Sequence, residues 1–143
     1  MHILMTGGTG LIGTAACAAL HTAGHRLTIL TRRARPATTE ATYITSLGEG
    51  AETVDVVINL AGAGLADRRW SSAYKRQIVS SRVDLTRELV VWMSELEQPP
   101  TRLISASAIG YYGAADEQTF SEDADVGTGF SAALCQSWEE EAG

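Results

Sequence analysis

Short apolar runs take turns with helical periodicities along this chain. Residues 2–6, HILMT, are apolar enough for a short buried strand. From residue 10 to 23 the spacing turns helical: Ile12, Ala16 and Leu20 recur on one face. Ala15, Ala18 and Ala19 between them are small enough for close packing on a sheet, and Gly24 stands where a helix-ending glycine belongs. RLTILT, residues 26–31, alternates and is rich in β-formers, so it reads as a second strand. ARPATTEAT follows as a loop, and TYITSL as a short third strand. DVVINLAG, residues 55–62, has the near-continuous apolar character of a parallel strand covered on both faces.

Residues 71–96 read as helix with a break near Ser80 and Ser81, and Leu85, Leu89, Val90 and Met93 form its apolar face. Pro99 and Pro100 separate it from a fifth strand in RLISASAIG. A glycine- and acid-rich loop spans 110–129, and FSAALCQSWEEEA opens another helix. Strands alternating with helices predict an α/β fold, a doubly wound parallel sheet with helices on both faces.

Composition narrows the classes. The 143 residues are 45% hydrophobic and 20% charged, which suits a single domain, 1–143, with a real core. A net charge of −6 argues against nucleic acid as a partner. No apolar run approaches the roughly 18–20 residues of a membrane helix. The start of the chain lacks the basic and apolar stretches of a secretory leader, so a cytoplasmic location is expected. Cys17 and Cys135 are far apart and read as small buried apolar residues, with no metal spacing.

LMTGGTGLIG, residues 4–13, carries the chemistry. It contains G-x-G-x-x-G as Gly8, Gly10 and Gly13, with Gly7 in front, between a strand and a helix. The early glycines permit the turn. Gly10 lets a diphosphate approach the backbone, and Gly13 lets the helix lie close to the sheet. The first amides of that helix, from Gly10 through Leu11, Ile12 and Gly13, then face the phosphates of a dinucleotide. An NAD site usually places an acid about 20 residues on, accepting from the ribose 2′-hydroxyl. This chain has Thr31, Arg32 and Arg33 at the end of the second strand. A guanidinium suits an adenosine 2′-phosphate, so NADP(H) is favoured over NAD(H), with Arg32 as the contact. NLAG, with Leu60, Ala61 and Gly62, closes the fourth strand with small residues over which a cofactor could pass.

TGGTGLIG, NLAG and SASAIGYYG, in this order and spacing, resemble the extended short-chain dehydrogenase/reductases, the NAD(P)-dependent epimerase/dehydratase family. The segment RRWSSAYKRQIVSSRVDLTREL, with SAIGYYG and LCQSWEEEA, is similar to an atypical subgroup named epimerase family proteins, whose substrates are unassigned. The resemblance covers essentially the whole chain. It implies a Rossmann-like sheet truncated before the C-terminal strands and the substrate domain. Gln77 and Arg82 fall in the subgroup's cofactor-reaching helical segment. Ser107 matches the catalytic Ser or Thr that hydrogen-bonds the substrate oxygen.

The resemblance fails at one place. The family's proton donor is a Tyr with Lys four residues on, and this chain has one lysine, Lys75. Four residues after Tyr43, Tyr74, Tyr111 and Tyr112 stand Leu47, Ile78, Ala115 and Asp116. Where the pair is expected, the chain offers Ser131 and Cys135, or Phe130 and Leu134 with one residue of slippage. The expected function is an NADP(H)-binding oxidoreductase or epimerase-like protein acting on a small hydroxylated or carbonyl substrate such as a nucleotide sugar. The alternatives are a non-catalytic NADP(H)-binding sensor or interaction module, or an inactive fragment. The missing strands predict exposed apolar surface near the last one, with self-association through the unfinished edge.

Overall fold

The computed structural model describes residues 1–49, 53–114 and 118–143. Five strands are present: β1 (His2–Thr6), β2 (Arg26–Leu30), β3 (Thr42–Ile44), β4 (Val56–Asn59) and β5 (Arg102–Ser105). They form one parallel sheet in the order β3-β2-β1-β4-β5. The chain winds outward from β1 in one direction and then in the other, so the order reverses between β1 and β4. In sheets of this kind ligands bind outside the strand ends at that point.

Helix α1 (Leu11–Thr22) covers one face. On the other, α2 (Ser72–Val79), a π-helical segment (Ser80–Asp84) and α3 (Leu85–Glu95) run on without interruption, followed later by α4 (Phe130–Ala142). The break expected near Ser80 is therefore a widened turn, and the helix continues through it. Strand periodicity explains the two layers. Ile3 and Met5 of β1 pack with Cys17 under α1, whereas Leu4 packs with Leu89 under α3. All five residues of β1 are buried.

Two expected helix faces are shifted. Ile12 is 70% exposed, and Ala15, Ala18 and Ala19 face solvent. The inward face of α1 is Gly13, Ala16, Cys17 and Leu20, because the first turn projects beyond the strand ends and leaves Ile12 nothing to pack on. In α3 Thr86 and Leu89 are buried and Leu85, Trp92 and Met93 partly buried, with Val90 turned outward. Gly24 (φ +81°) does follow the end of α1, its N–H donating to His21 O at 2.9 Å. In the loop expected over 110–129, a 3₁₀ turn (Ile109–Tyr112) leads the chain in, and residues 115–117 lie outside the described residues. Cys17 and Cys135 are both buried free thiols.

Strand β5 is one edge of the sheet among the described residues, and β3 the other. Ile104 of β5 is 53% exposed, in contrast to the dry strands β1 and β4. No helix among the described residues is long and apolar enough to cross a membrane.

At the opposite end of the sheet from the glycine turn, His2 is buried. Its Nδ1 lies 2.5 Å from Thr53 O and its Nε2 2.7 Å from Thr28 Oγ1. Arg26 NH2 also lies 2.6 Å from Nδ1. Burial pushes the His2 pKa below the ordinary 6.5; the Thr53 carbonyl opposes this, and the Arg26 charge adds to it. The unfolded chain therefore binds the proton more readily than the fold does. This contribution to stability is complete above the ordinary histidine value and is lost as pH falls below it. The urea midpoint is expected to drop between about pH 7 and pH 5, and His2→Gln should flatten that drop. An unchanged drop in the variant would assign it to other groups.

Candidate functional site

Three chain segments meet at the carboxyl ends of β1 and β4. The first is the glycine turn. Gly7 has φ +69°, and a Cβ there would lie 2.5 Å from the Leu60 carbonyl oxygen. A Cβ on Gly13 would overlap Gly7 O and crowd Gly8. Gly13 was expected to bring α1 close to the sheet; its tightest neighbours are instead Gly7 and Gly8. Gly10 differs from both. Its φ of −85° suits any residue, and an added Cβ would meet only Gly7 O, at 3.3 Å. Among the described residues that single, somewhat tight contact is all that opposes a Cβ at Gly10.

Helix α1 begins directly after Gly10 with no side-chain cap and no acid in its first turn. Its free amides and the positive end of its dipole are left open to an anion. Leu11 and Ile12 beside them are 94% and 70% exposed, an apolar rim at the same mouth.

The second segment leaves β4. Leu60 N–H donates to Thr6 O at 3.2 Å, and Ala61 N–H to Thr6 Oγ1 at 3.1 Å. Gly62, the next residue, is exposed, and a Cβ on it would lie 2.6 Å from Cζ of Arg82. Arg82 comes from the third segment, the π-helical turn. Such turns are uncommon and concentrate at functional sites, because the extra residue per turn redirects side chains. Here Ser81 Oγ receives the Ala63 N–H at 2.9 Å, stitching the turn to the β4 exit. Arg82 is half-buried, its guanidinium 5.4 Å from the Trp138 ring. Its one recorded hydrogen bond is a long one, NH1 to Ile78 O at 3.4 Å. Burial lowers its pKa, opposed by Cys135 and Tyr74, yet a guanidinium keeps its charge. The ion pairs among the described residues belong to Arg87, so Arg82 is a half-desolvated cation without a carboxylate.

A buried polar network supports these ends from below. Asn59 Oδ1 accepts from Thr6 Oγ1 at 2.6 Å, and its Nδ2 donates to Thr86 Oγ1 at 2.7 Å and Ser105 Oγ at 3.2 Å. Trp138 Nε1 donates to Thr86 Oγ1 at 3.0 Å. Strands β1, β4 and β5 and helices α3 and α4 are thereby tied together, and no buried side-chain polar atom among the described residues lacks a partner.

The remaining expected residues are more scattered. Leu30 pairs with Thr6, so Thr31 and Arg32 leave β2 at the same end of the sheet as Gly7. Thr31 is committed to its own turn, with Oγ1 donating to Arg33 O at 2.8 Å, and Arg32 is exposed. Gln77 is exposed on α2 along a shallow groove with Lys75 and Phe130, and no recorded contact joins it to the glycine turn. Lys75 sits 5.0 Å over the Phe130 ring. Ser107, just past β5, donates its hydroxyl to Glu139 of α4. Ser131 and Cys135 lie where the tyrosine and lysine were sought. Ser131 packs against Gly110, and Cys135 Sγ lies 3.6 Å from Ala108 O.

Four participants were given no role from the sequence, although they lie in the segments that carry the resemblance: Ser81, Thr86, Trp138 and Glu139. The polar Asn59 inside an apolar run was the one usable sign of the network. The open helix start, the bare Gly10, the free Arg82 and the exposed Leu11 and Ile12 fit a diphosphate with an adjoining ring system.

Fold and site together define a doubly wound α/β domain with a glycine turn at its switch point. The chain belongs to the NAD dependent epimerase/dehydratase family, whose sequence pattern matches residues 3–132. It is 40% identical over 149 aligned positions to the epimerase family protein YfhF of Bacillus subtilis, covering 99% of this chain and 49% of that protein. A solved structure of the human epimerase family protein SDR39U1 with NADPH matches all of this chain and 49% of its own, with TM-score 0.88 and 28% identity. A nucleoside-diphosphate sugar epimerase structure from Corynebacterium glutamicum matches 99% of this chain and 30% of its own, with TM-score 0.77 and 30% identity. The chain spans about half the length of the curated relatives it matches.

The glycine geometry makes a contrast that thermal unfolding can read. Gly10→Ala should leave stability within about 1 kcal/mol of the parent, because the backbone and the space permit it. Gly13→Ala should cost about 1–3 kcal/mol, because a backbone carbonyl must move. Equal losses would show that Gly10, too, is held by packing.

Proposed function

We propose that this chain is the dinucleotide-binding part, residues 1–143, of an NADP(H)-dependent oxidoreductase of the epimerase type. Its substrate in this reading is a small hydroxylated or carbonyl compound such as a nucleotide sugar. One observation carries the proposal: a glycine at an uncapped helix start, close to a half-buried arginine that has no ion-pair partner among the described residues.

Each residue then has a task. Gly7 and Gly13 shape the turn; the amides at Leu11, Ile12 and Gly13 receive one phosphate, which passes close over Gly10, whose own N–H is held by Gly7 O at 2.9 Å. Arg82, reaching across Gly62, neutralises the diphosphate. Leu60, Ala61 and Gly62 keep the path over β4 low. Thr31 and Arg32 hold the adenosine 2′-phosphate, which favours NADP(H) over NAD(H). The NADPH named with the human relative agrees with that choice. Gln77 is assigned to the far end of the cofactor, and the Ser107 hydroxyl to the substrate oxygen. When bound, the nicotinamide supplies or takes up a hydride; the chain binds, orients and handles the proton. The open edge of β5, with Ile104 half exposed, is the surface assigned to self-association.

A second reading is a cofactor-binding sensor. It draws on the packing of Ser131 against Gly110, which puts no tyrosine on the inner face of α4.

Titrating the full chain with NADPH and NADH, followed by nicotinamide fluorescence, tests the proposal. Arg32→Ala should weaken NADPH about 10- to 100-fold, the worth of a charge-assisted contact, and leave NADH nearly unchanged. Arg82→Ala should weaken both. Equal losses for Arg32→Ala would remove the 2′-phosphate assignment, and a parent chain binding neither cofactor would remove the whole reading.

A further inference from the structure

Helix α4 presents Ser131, Cys135 and Glu139 at successive four-residue steps, so all three share one face. That face lies against the segment leaving β5. Ser131 meets Gly110, Cys135 approaches Ala108 O, and Glu139 accepts the hydroxyl of Ser107. The upper two positions leave proton transfer unserved. Ser131 lies against Gly110, where an added Cβ would be 3.1 Å from the Ser131 Cβ, and a serine beside no base is a weak proton carrier. Cys135 is buried, and burial pushes its thiol up from the ordinary value, held there also by the charge of Glu139. It stays a neutral thiol.

One turn further on, the picture changes. Ser107, just past β5, and Glu139, on α4, are both exposed where they meet. Of the three consecutive glutamates, Glu141 is bound to Arg87, with Arg87 NH2 2.5 Å from its carboxylate, and Glu140 is exposed. Only Glu139 among them meets a hydroxyl of the site. The cation near this face is Arg82, its guanidinium 5.4 Å from the Trp138 ring and its charge felt by Cys135.

We infer that Ser107 and Glu139 form a proton relay that takes the place of the absent tyrosine and lysine. The inference rests on the oxidoreductase reading above. In the oxidising direction the substrate O–H bond breaks and its proton passes to Ser107 Oγ. The proton already on Ser107 passes to the Glu139 carboxylate, leaving a neutral carboxyl group. The carbon-bound hydrogen leaves as hydride to an oxidised nicotinamide dinucleotide, so the substrate is oxidised by two electrons and the dinucleotide is reduced. Exposure of Glu139 lets it return the proton to water. Reduction runs the same path backward. Ser107 is the group that touches substrate, and Glu139 acts through it.

The test uses the full chain with glutamate labelled at 13Cδ, and cofactor reduction measured with a panel of nucleotide sugars. Ser107→Ala should displace the 13Cδ resonance of Glu139 and leave those of Glu140 and Glu141 in place. Glu139→Gln should lower kcat by about 100-fold or more with KM and NADPH affinity within about twofold, the size expected for loss of a general base. Glu139→Ala should be equally slow and recover about tenfold or more with added formate, a carboxylate small enough to enter the vacated space. Glu140→Gln should behave as the parent. The double variant Ser107→Ala/Glu139→Gln should be no slower than the slower single one, as for two groups acting in series. A Glu139 resonance indifferent to Ser107→Ala, a Glu139→Gln enzyme with parental kcat, or no formate recovery would each overturn the relay. Loss of NADPH binding in the parent would instead strike the reading beneath it.

Discussion

Two stretches of backbone touch at the heart of this domain where side chains would ordinarily keep them apart. Gly7 lies against the Leu60 carbonyl, and Gly13 lies against Gly7 itself. This double contact fixes where α1 starts relative to β1 and β4. The helix axis, its dipole and its first amides are therefore aimed by backbone packing, the stiffest material available. Side chains could relax by changing rotamer; carbonyl against Cα cannot. Everything proposed for the site depends on that aim, because an anion bound by amides must find them already in place.

The sheet beneath is organised to keep that mouth rigid. Asn59 joins β1, β4 and β5 to α3, and Thr86 passes the connection to Trp138 of α4. In a buried setting such groups are costly when unpaired, so the network opposes any drift of one strand end relative to another. The same Trp138 flanks Arg82, so the helix that carries Glu139 also walls the cation. A chain of net charge −6 thus keeps isolated positive groups, Arg32 and Arg82, at the end of the sheet where an anion is proposed to bind. Global repulsion of an anion is met by local attraction.

How legible this was varies with the physics of each part. Every strand was visible in sequence; β1 and β4, covered on both faces, are apolar except at their ends, at His2, Thr6 and Asn59. The glycine turn was visible because backbone contact admits no other residue at Gly7 or Gly13. Helix faces were read less well. Ile12 was placed inward from its spacing, yet α1 overhangs the sheet at its start and periodicity does not register where a neighbour ends. Arg82 was reached by resemblance, and its position depends on a π-helical turn that no spacing of apolar residues announces. Glu139 stands in a run of three glutamates, and nothing in their spacing sets it apart from Glu140 and Glu141. Its meeting with Ser107 joins residues 32 positions apart, and only the packing of α4 on the β5 exit creates it.

The central claim is that amides at the start of α1 grip a diphosphate. Backbone 15N resonances of the full chain during NADPH titration address it directly. The account predicts that Gly10, Leu11, Ile12 and Gly13 shift most, together with Gly62, and that the remote strand residues Thr28 and Thr42 stay still. Binding that left Gly10 through Gly13 unmoved while shifting other surfaces would contradict it.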